Sequence, residues 1–157
     1  MMPEFFLDHI IRPALIAIEL GGTDAEQLLL GTALQESGLR NDRQLGGGPA
    51  LGYFQMEPED HDDIWTHFLT GRKDLATRVR SLLPARVQPS AAQLIPYPHY
   101  AAAMCRVHYL RVPAPIPTDL AGQAAYYKAH YNTPAGAATA ADNVSQAADI
   151  LEQACNQ

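Results

Sequence analysis

Between Gly22 and Gly38 the chain reads TDAEQLLLGTALQES, and no other stretch limits the fold as tightly. Thr23-Asp24-Ala25-Glu26 has the spacing of a capping box, in which hydroxyl and carboxylate satisfy free N–H groups at a helix start. Leu28, Leu29, Ala33 and Leu34 carry the helix inward, and Gly38 is placed to end it. A buried helix of this kind needs other apolar elements around it, and the remaining chain offers helices to supply them. Residues 3–20 alternate apolar and polar at helical spacing up to Gly21-Gly22, and the acidic PEDHDDIW run from Pro58 opens another helix. Further helices are expected over 73–83, 99–112, 118–132 and 138–154. No strand pattern and no internal repeat is present. The expectation is an all-α fold, and 157 residues at 47% hydrophobic content fit a single domain over 1–157.

Charge and composition remove several classes of function. A net charge of −6 and a pI near 5.4 argue against nucleic-acid binding and against simple adhesion to an anionic wall. Asp8, His9, Arg12 and Pro13 interrupt the apolar N-terminus and no small-residue cleavage site follows, so neither a signal peptide nor stable membrane insertion is expected. Cys105 and Cys155 lie in helical patterns and read as buried, reduced thiols. GGGPALG lacks the Lys-Ser/Thr ending of a phosphate loop.

Three short segments carry the chemistry. Glu36-Ser37-Gly38 closes the apolar helix, Gly52-Tyr53-Phe54-Gln55 follows the glycine-rich run over 41–51, and Ala129-His130-Tyr131-Asn132 lies near the end of a later helix. A glycosidic oxygen leaves only if protonated as its bond breaks, so the acid must keep its proton near neutral pH. Burial against apolar groups raises a carboxyl pKa in that direction. Glu36 has such surroundings; the bland alternative is a solvated glutamate paired with Arg40 at i+4.

Together the segments resemble the soluble lytic transglycosylase and goose-type lysozyme family, over roughly 28–58 and 118–139. Its Glu-Ser pair matches Glu36-Ser37. Its Gly-Leu-Met-Gln signature matches Gly52-Tyr53-Phe54-Gln55 with two hydrophobic substitutions, and Pro58 matches a proline that often follows. Its Tyr-Asn element matches Tyr131-Asn132, with the usual glycine-rich continuation altered to Thr133-Pro134-Ala135-Gly136.

The resemblance implies a lysozyme-like helical domain with the glycine-rich loop beside an active-site cleft. It implies cleavage of the β-1,4 bond between N-acetylmuramic acid and N-acetylglucosamine in peptidoglycan, with no metal or cofactor. Glu36 would be acid and then base, the Tyr131 hydroxyl would orient it, and Ser37, Tyr53, Gln55, Tyr131 and Asn132 would bind substrate. Transglycosylases need one carboxyl group and close a 1,6-anhydro ring; an inverting hydrolase needs a second carboxylate to activate water. Glu57 stands where goose-type lysozymes carry an acid, so hydrolysis is the alternative chemistry. As a plain helix-start charge beside Glu59 and Asp60 it has none. Lacking an export signal, such an enzyme would reach the wall through phage lysis, a virion or a secretion assembly. A noncatalytic glycan-binding or structural module of such an assembly is the rival reading.

Other residues read as structural. His61, Asp62 and Asp63 read as a solvated helix start rather than a metal site, and Cys105 with His108 as core packing. Trp65, Tyr97 and Tyr100 read as core or rim aromatics, with stacking on sugar rings the sharper alternative. One of Tyr126 and Tyr127 is expected in the core. Residues 61–98 match nothing in the family.

Overall fold

A computed structural model of the chain describes residues 1–40, 47–131 and 140–156. Among them the elements are helical, and the sole bridge of strand type links Leu51 to Met56. The first helix forms in three pieces, α1 (Pro3–Phe6), a π-helical turn (Leu7–Ile11) and α2 (Arg12–Ala17). It stops before Gly21-Gly22, where Glu19 takes the left-handed conformation. α3 is Thr23–Ser37, and α4 (Pro58–Asp63) runs into a π-helical turn (Ile64–Phe68) and a 3₁₀ turn (Leu69–Gly71). α5 is Lys73–Arg80, a 3₁₀ turn covers Ala91–Leu94, α6 is Pro98–Leu110, α7 Leu120–His130 and α8 Ala140–Cys155.

α3 is the central element. Its residues from Leu28 to Leu30 and Ala33 are fully buried, in a core that runs from Phe6 in α1 to Leu151 in α8. α8 packs closely along it: a Cβ on Gly31 would lie 3.2 Å from Val144 Cγ2, and Asn143 Nδ2 donates to Gln35 Oε1 at 2.6 Å. α6 is tied in through Tyr109. The Thr32 hydroxyl donates to the Leu28 carbonyl at 2.7 Å, so Tyr109 donates to Thr32 across 2.8 Å. α7 is joined by a buried amide pair, Gln27 Nε2 to Gln123 Oε1 at 3.1 Å. Thr32, Tyr109, Gln27 and Gln123 thus meet one another inside the helical core, as burial of polar groups favours.

Several expectations change. The capping box does not form: Gly22 is the N-cap of α3 with no side-chain bond, and Glu26 pairs with Arg12 Nε at 3.1 Å. An ion pair between two helices has taken the carboxylate that local spacing assigned to its own helix end. α7 starts one turn position late, because Asp119, rather than Thr118, caps it through Gly122 N. Cys105 is buried, but Cys155 is exposed, so it is not a core thiol; neither is in a disulfide. His61 is 1% exposed and belongs to the interior, whereas Asp62 and Asp63 beside it are exposed. Both Tyr126 and Tyr127 are buried. No described helix is long and apolar enough to cross a membrane.

Candidate functional site

Glu36 sits in the last turn of α3, where the helix gives way to a left-handed pair, Gly38 (φ 58°) and Leu39 (φ 63°). Gly38 N–H returns to the Leu34 carbonyl at 3.0 Å, a helix stop that glycine favours. Leu39 accepts its unfavourable φ because its side chain is buried. That anchor holds Glu36 half-buried at the helix end, with no ion pair to any described residue, Arg40 included.

The Tyr127 hydroxyl donates to Glu36 Oε1 at 2.5 Å. Desolvation by burial raises the Glu36 pKa from 4.5 to about 7, against the opposing effect of that hydrogen bond. The negative end of the α3 dipole acts in the same direction as burial. Burial also pushes the Tyr127 phenol well up, so it remains a donor at every working pH.

The second segment forms a tight four-residue hairpin. Leu51 and Met56 exchange both backbone bonds, N–H to C=O at 3.0 and 3.2 Å, and Gly52 to Gln55 make the turn. Gly52 is required there twice over. Its φ is +78°, and a Cβ would lie 2.7 Å from the Leu94 carbonyl oxygen. Gln55 also has positive φ, at 45°.

Three successive carbonyls of this turn are taken by side chains. Gln55 Nε2 donates to Gly52 O at 2.9 Å, Ser37 Oγ to Tyr53 O at 2.6 Å, and Tyr131 Oη to Phe54 O at 2.6 Å. Thus the hairpin, the end of α3 and the end of α7 are fastened together, and all three sequence segments meet.

The roles within that cluster differ from those expected. The phenol that meets Glu36 belongs to Tyr127, not Tyr131; Tyr131 holds the hairpin instead. Both lie on one face of α7, four residues apart, with ring centroids 6.2 Å from each other. That spacing was readable in the sequence, but nothing in it told which of the two hydroxyls reaches the acid. Ser37 and Gln55 spend donors on the turn backbone. The Tyr53 ring is buried 4.8 Å from Phe6, so its carbonyl rather than its phenol joins the cluster. Asn132 lies outside the described residues, as do residues 41–46 of the glycine-rich run. Glu57 is half-buried at the N-cap of α4, with no side-chain cap bond.

Behind Tyr131 the site rests on a column of rings. Tyr109 stacks on Tyr131 at 5.3 Å and on Tyr126 at 5.6 Å, and the Cys105 thiol beside them is held protonated by burial. His108 Nε2 donates to the His130 carbonyl at 2.6 Å, leaving Nδ1 to accept from Arg111 at 3.1 Å. Cys105 and His108 are thus used in packing and in fixing the end of α7. Among the described residues no three His, Cys, Asp or Glu side chains gather as a metal site.

No protein-family model matches the chain, and comparison with curated proteins and with solved structures returned no match either.

Proposed function

We propose that the chain is a lysozyme-like enzyme that cleaves peptidoglycan glycan strands, with Glu36 as the acid. The observation that carries this reading is a half-buried carboxyl whose pKa is raised to about 7, held by a tyrosine and free of any described cation. Such a group keeps its proton at neutral pH and can pass it to a glycosidic oxygen.

In this reading Glu36 protonates the oxygen that leaves N-acetylmuramic acid. The resulting carboxylate then removes the proton from the C6 hydroxyl, whose oxygen closes a 1,6-anhydro ring. Tyr127 steadies the carboxylate between the two transfers with a bond to the charged form. Ser37 and Tyr131 tie the hairpin to the ends of α3 and α7, and the Gln55 amide closes the turn on Gly52, so the three act on the geometry around the acid. Asn132 remains an expected contributor to the sugar site, whereas the buried Tyr53 ring supports the hairpin from within.

Mass spectrometry of muropeptides released from purified wall tests the proposal. Anhydro ends from the wild type, and none from Glu36→Gln, are expected. Reducing ends would transfer the reaction to a hydrolase with Glu57 as second carboxylate, and equal release by both proteins would remove Glu36 from the chemistry.

A further inference from the structure

A second site lies in the part of the chain that the family resemblance leaves unexplained. The π-helical turn Ile64–Phe68, the 3₁₀ turn after it, α5 and the segment after α5 line an open cavity of about 480 Å³, with Trp65, Thr66, Thr70, Arg80, Gln88 and Pro89 among the residues on its wall. None of its lining residues belongs to the Glu36 cluster.

Its aromatic wall is fixed from behind. Trp65 Nε1 donates to the Tyr100 hydroxyl at 2.8 Å. That hydroxyl therefore directs its own proton to His61 Nε2, 2.7 Å away, and His61 Nδ1–H meets Asp62 at 2.9 Å. Tyr100 and His61 are both buried, and burial keeps His61 neutral as this chain of bonds requires. The indole's polar edge is thus locked into the interior while the residue remains half-buried at the cavity wall.

Arg80 supplies the charge. Its guanidinium lies over the Trp65 ring, 5.0 Å from the centroid, so it covers part of that face; the residue is exposed and pairs with no carboxylate among the described residues. In a chain of net charge −6, a guanidinium laid on a rigid aromatic ring, with no carboxylate partner among the described residues, marks a place for an anion attached to an apolar ring. The Thr66 hydroxyl and the Gln88 amide add hydrogen-bonding groups of the kind that meet sugar hydroxyls, while Thr70 Oγ1 gives its proton to the Trp65 carbonyl at 3.2 Å and can only accept.

We infer that the Trp65–Arg80 cavity binds a carboxylate-bearing saccharide, with the carboxylate on the outer edge of the Arg80 guanidinium and the pyranose ring against the part of the indole that Arg80 leaves uncovered. Choosing N-acetylmuramic acid as its ligand rests on the proposed action on peptidoglycan.

Trp65 is the only tryptophan in the chain, so its fluorescence reports occupancy of this cavity directly. Titration with N-acetylmuramic acid is expected to give a saturable change. N-acetylglucosamine, which lacks the lactyl carboxylate, and lactate, which lacks the ring, are each expected to bind at least about tenfold more weakly, since each loses one of the two contacts. Arg80→Gln, a change at an exposed position, should weaken N-acetylmuramic acid about tenfold and leave N-acetylglucosamine unaltered. Glu36→Gln should bind as the wild type does while losing wall cleavage.

Equal binding of N-acetylmuramic acid and N-acetylglucosamine, no effect of Arg80→Gln, or loss of the Trp65 signal in Glu36→Gln would each overturn the assignment. If cleavage by the wild type is absent but Arg80-dependent binding persists, the catalytic reading fails and the cavity stands. If cleavage persists without that binding, the reverse holds.

Discussion

Among single residues, the Tyr127–Glu36 contact bears most directly on the proposed chemistry. A hydrogen bond to the charged carboxylate lowers its pKa, so removing the donor should raise it further. Tyr127→Phe is accordingly expected to lower kcat for wall cleavage by roughly 10- to 100-fold, the range of a lost orienting bond to a catalytic acid. It should also move the alkaline limb of the pH profile upward from about 7. A pH–rate profile of the variant checks both effects; an unchanged profile would show that Tyr127 only packs. Ser37→Ala removes the bond to the Tyr53 carbonyl and leaves that acceptor without its partner. A loss of about 1 kcal/mol in denaturant unfolding is expected.

At the scale of elements the hairpin is the part least tolerant of change. Gly52→Ala combines a positive φ with a Cβ pressed on the Leu94 carbonyl, and backbone cannot move aside as a side-chain tip can. A destabilisation of about 2–4 kcal/mol is expected in denaturant melts, with loss of cleavage because the carbonyls that bind Ser37 and Tyr131 shift. Gly31→Leu should separate α8 from α3 and lower stability by about 1–3 kcal/mol, read in the same way.

The helices themselves were legible from periodicity and punctuation. α3 runs from Thr23 to Ser37 as Gly22 and Gly38 indicate, α6 falls within two residues of expectation, and α8 ends within one, its expected start lying outside the described residues. The ends were less so, because Glu26 chose Arg12 over its own cap and Asp119 outcompeted Thr118. The hairpin at 51–56 was also hidden. Its two paired residues give no period-2 signal, and its carbonyls are satisfied by side chains distant in sequence. For the same reason the gathering of three segments was visible, but the division of labour between Tyr127 and Tyr131 was not. His61 was misread because its neighbours are acidic and exposed while its partner Tyr100 is 39 residues away.

At the scale of the whole molecule, Glu36 ties stability to pH in a direction opposite to that of an ion-paired carboxylate. Its folded pKa lies near 7 and its unfolded one near 4.5, so between those values the folded state holds the extra proton. Its contribution is therefore largest below about pH 4.5, declines as pH rises, and is gone above about 7. The decline amounts to something on the order of 3 kcal/mol. Glu36→Gln should abolish this part of the pH dependence, so that the variant is more stable than the wild type at pH 8 and gains little at pH 4.5. Urea melts across that range check it, and parallel curves for the two proteins would place the Glu36 pKa near its ordinary value.

The most direct test of the central claim is digestion of purified peptidoglycan at pH 6 by the wild type and by Glu36→Gln, following soluble muropeptides over time. Release by the wild type is expected, and a rate at least about a thousandfold lower in the variant, since glutamine offers no proton to the leaving oxygen. Equal rates, or no release by the wild type, would contradict the claim.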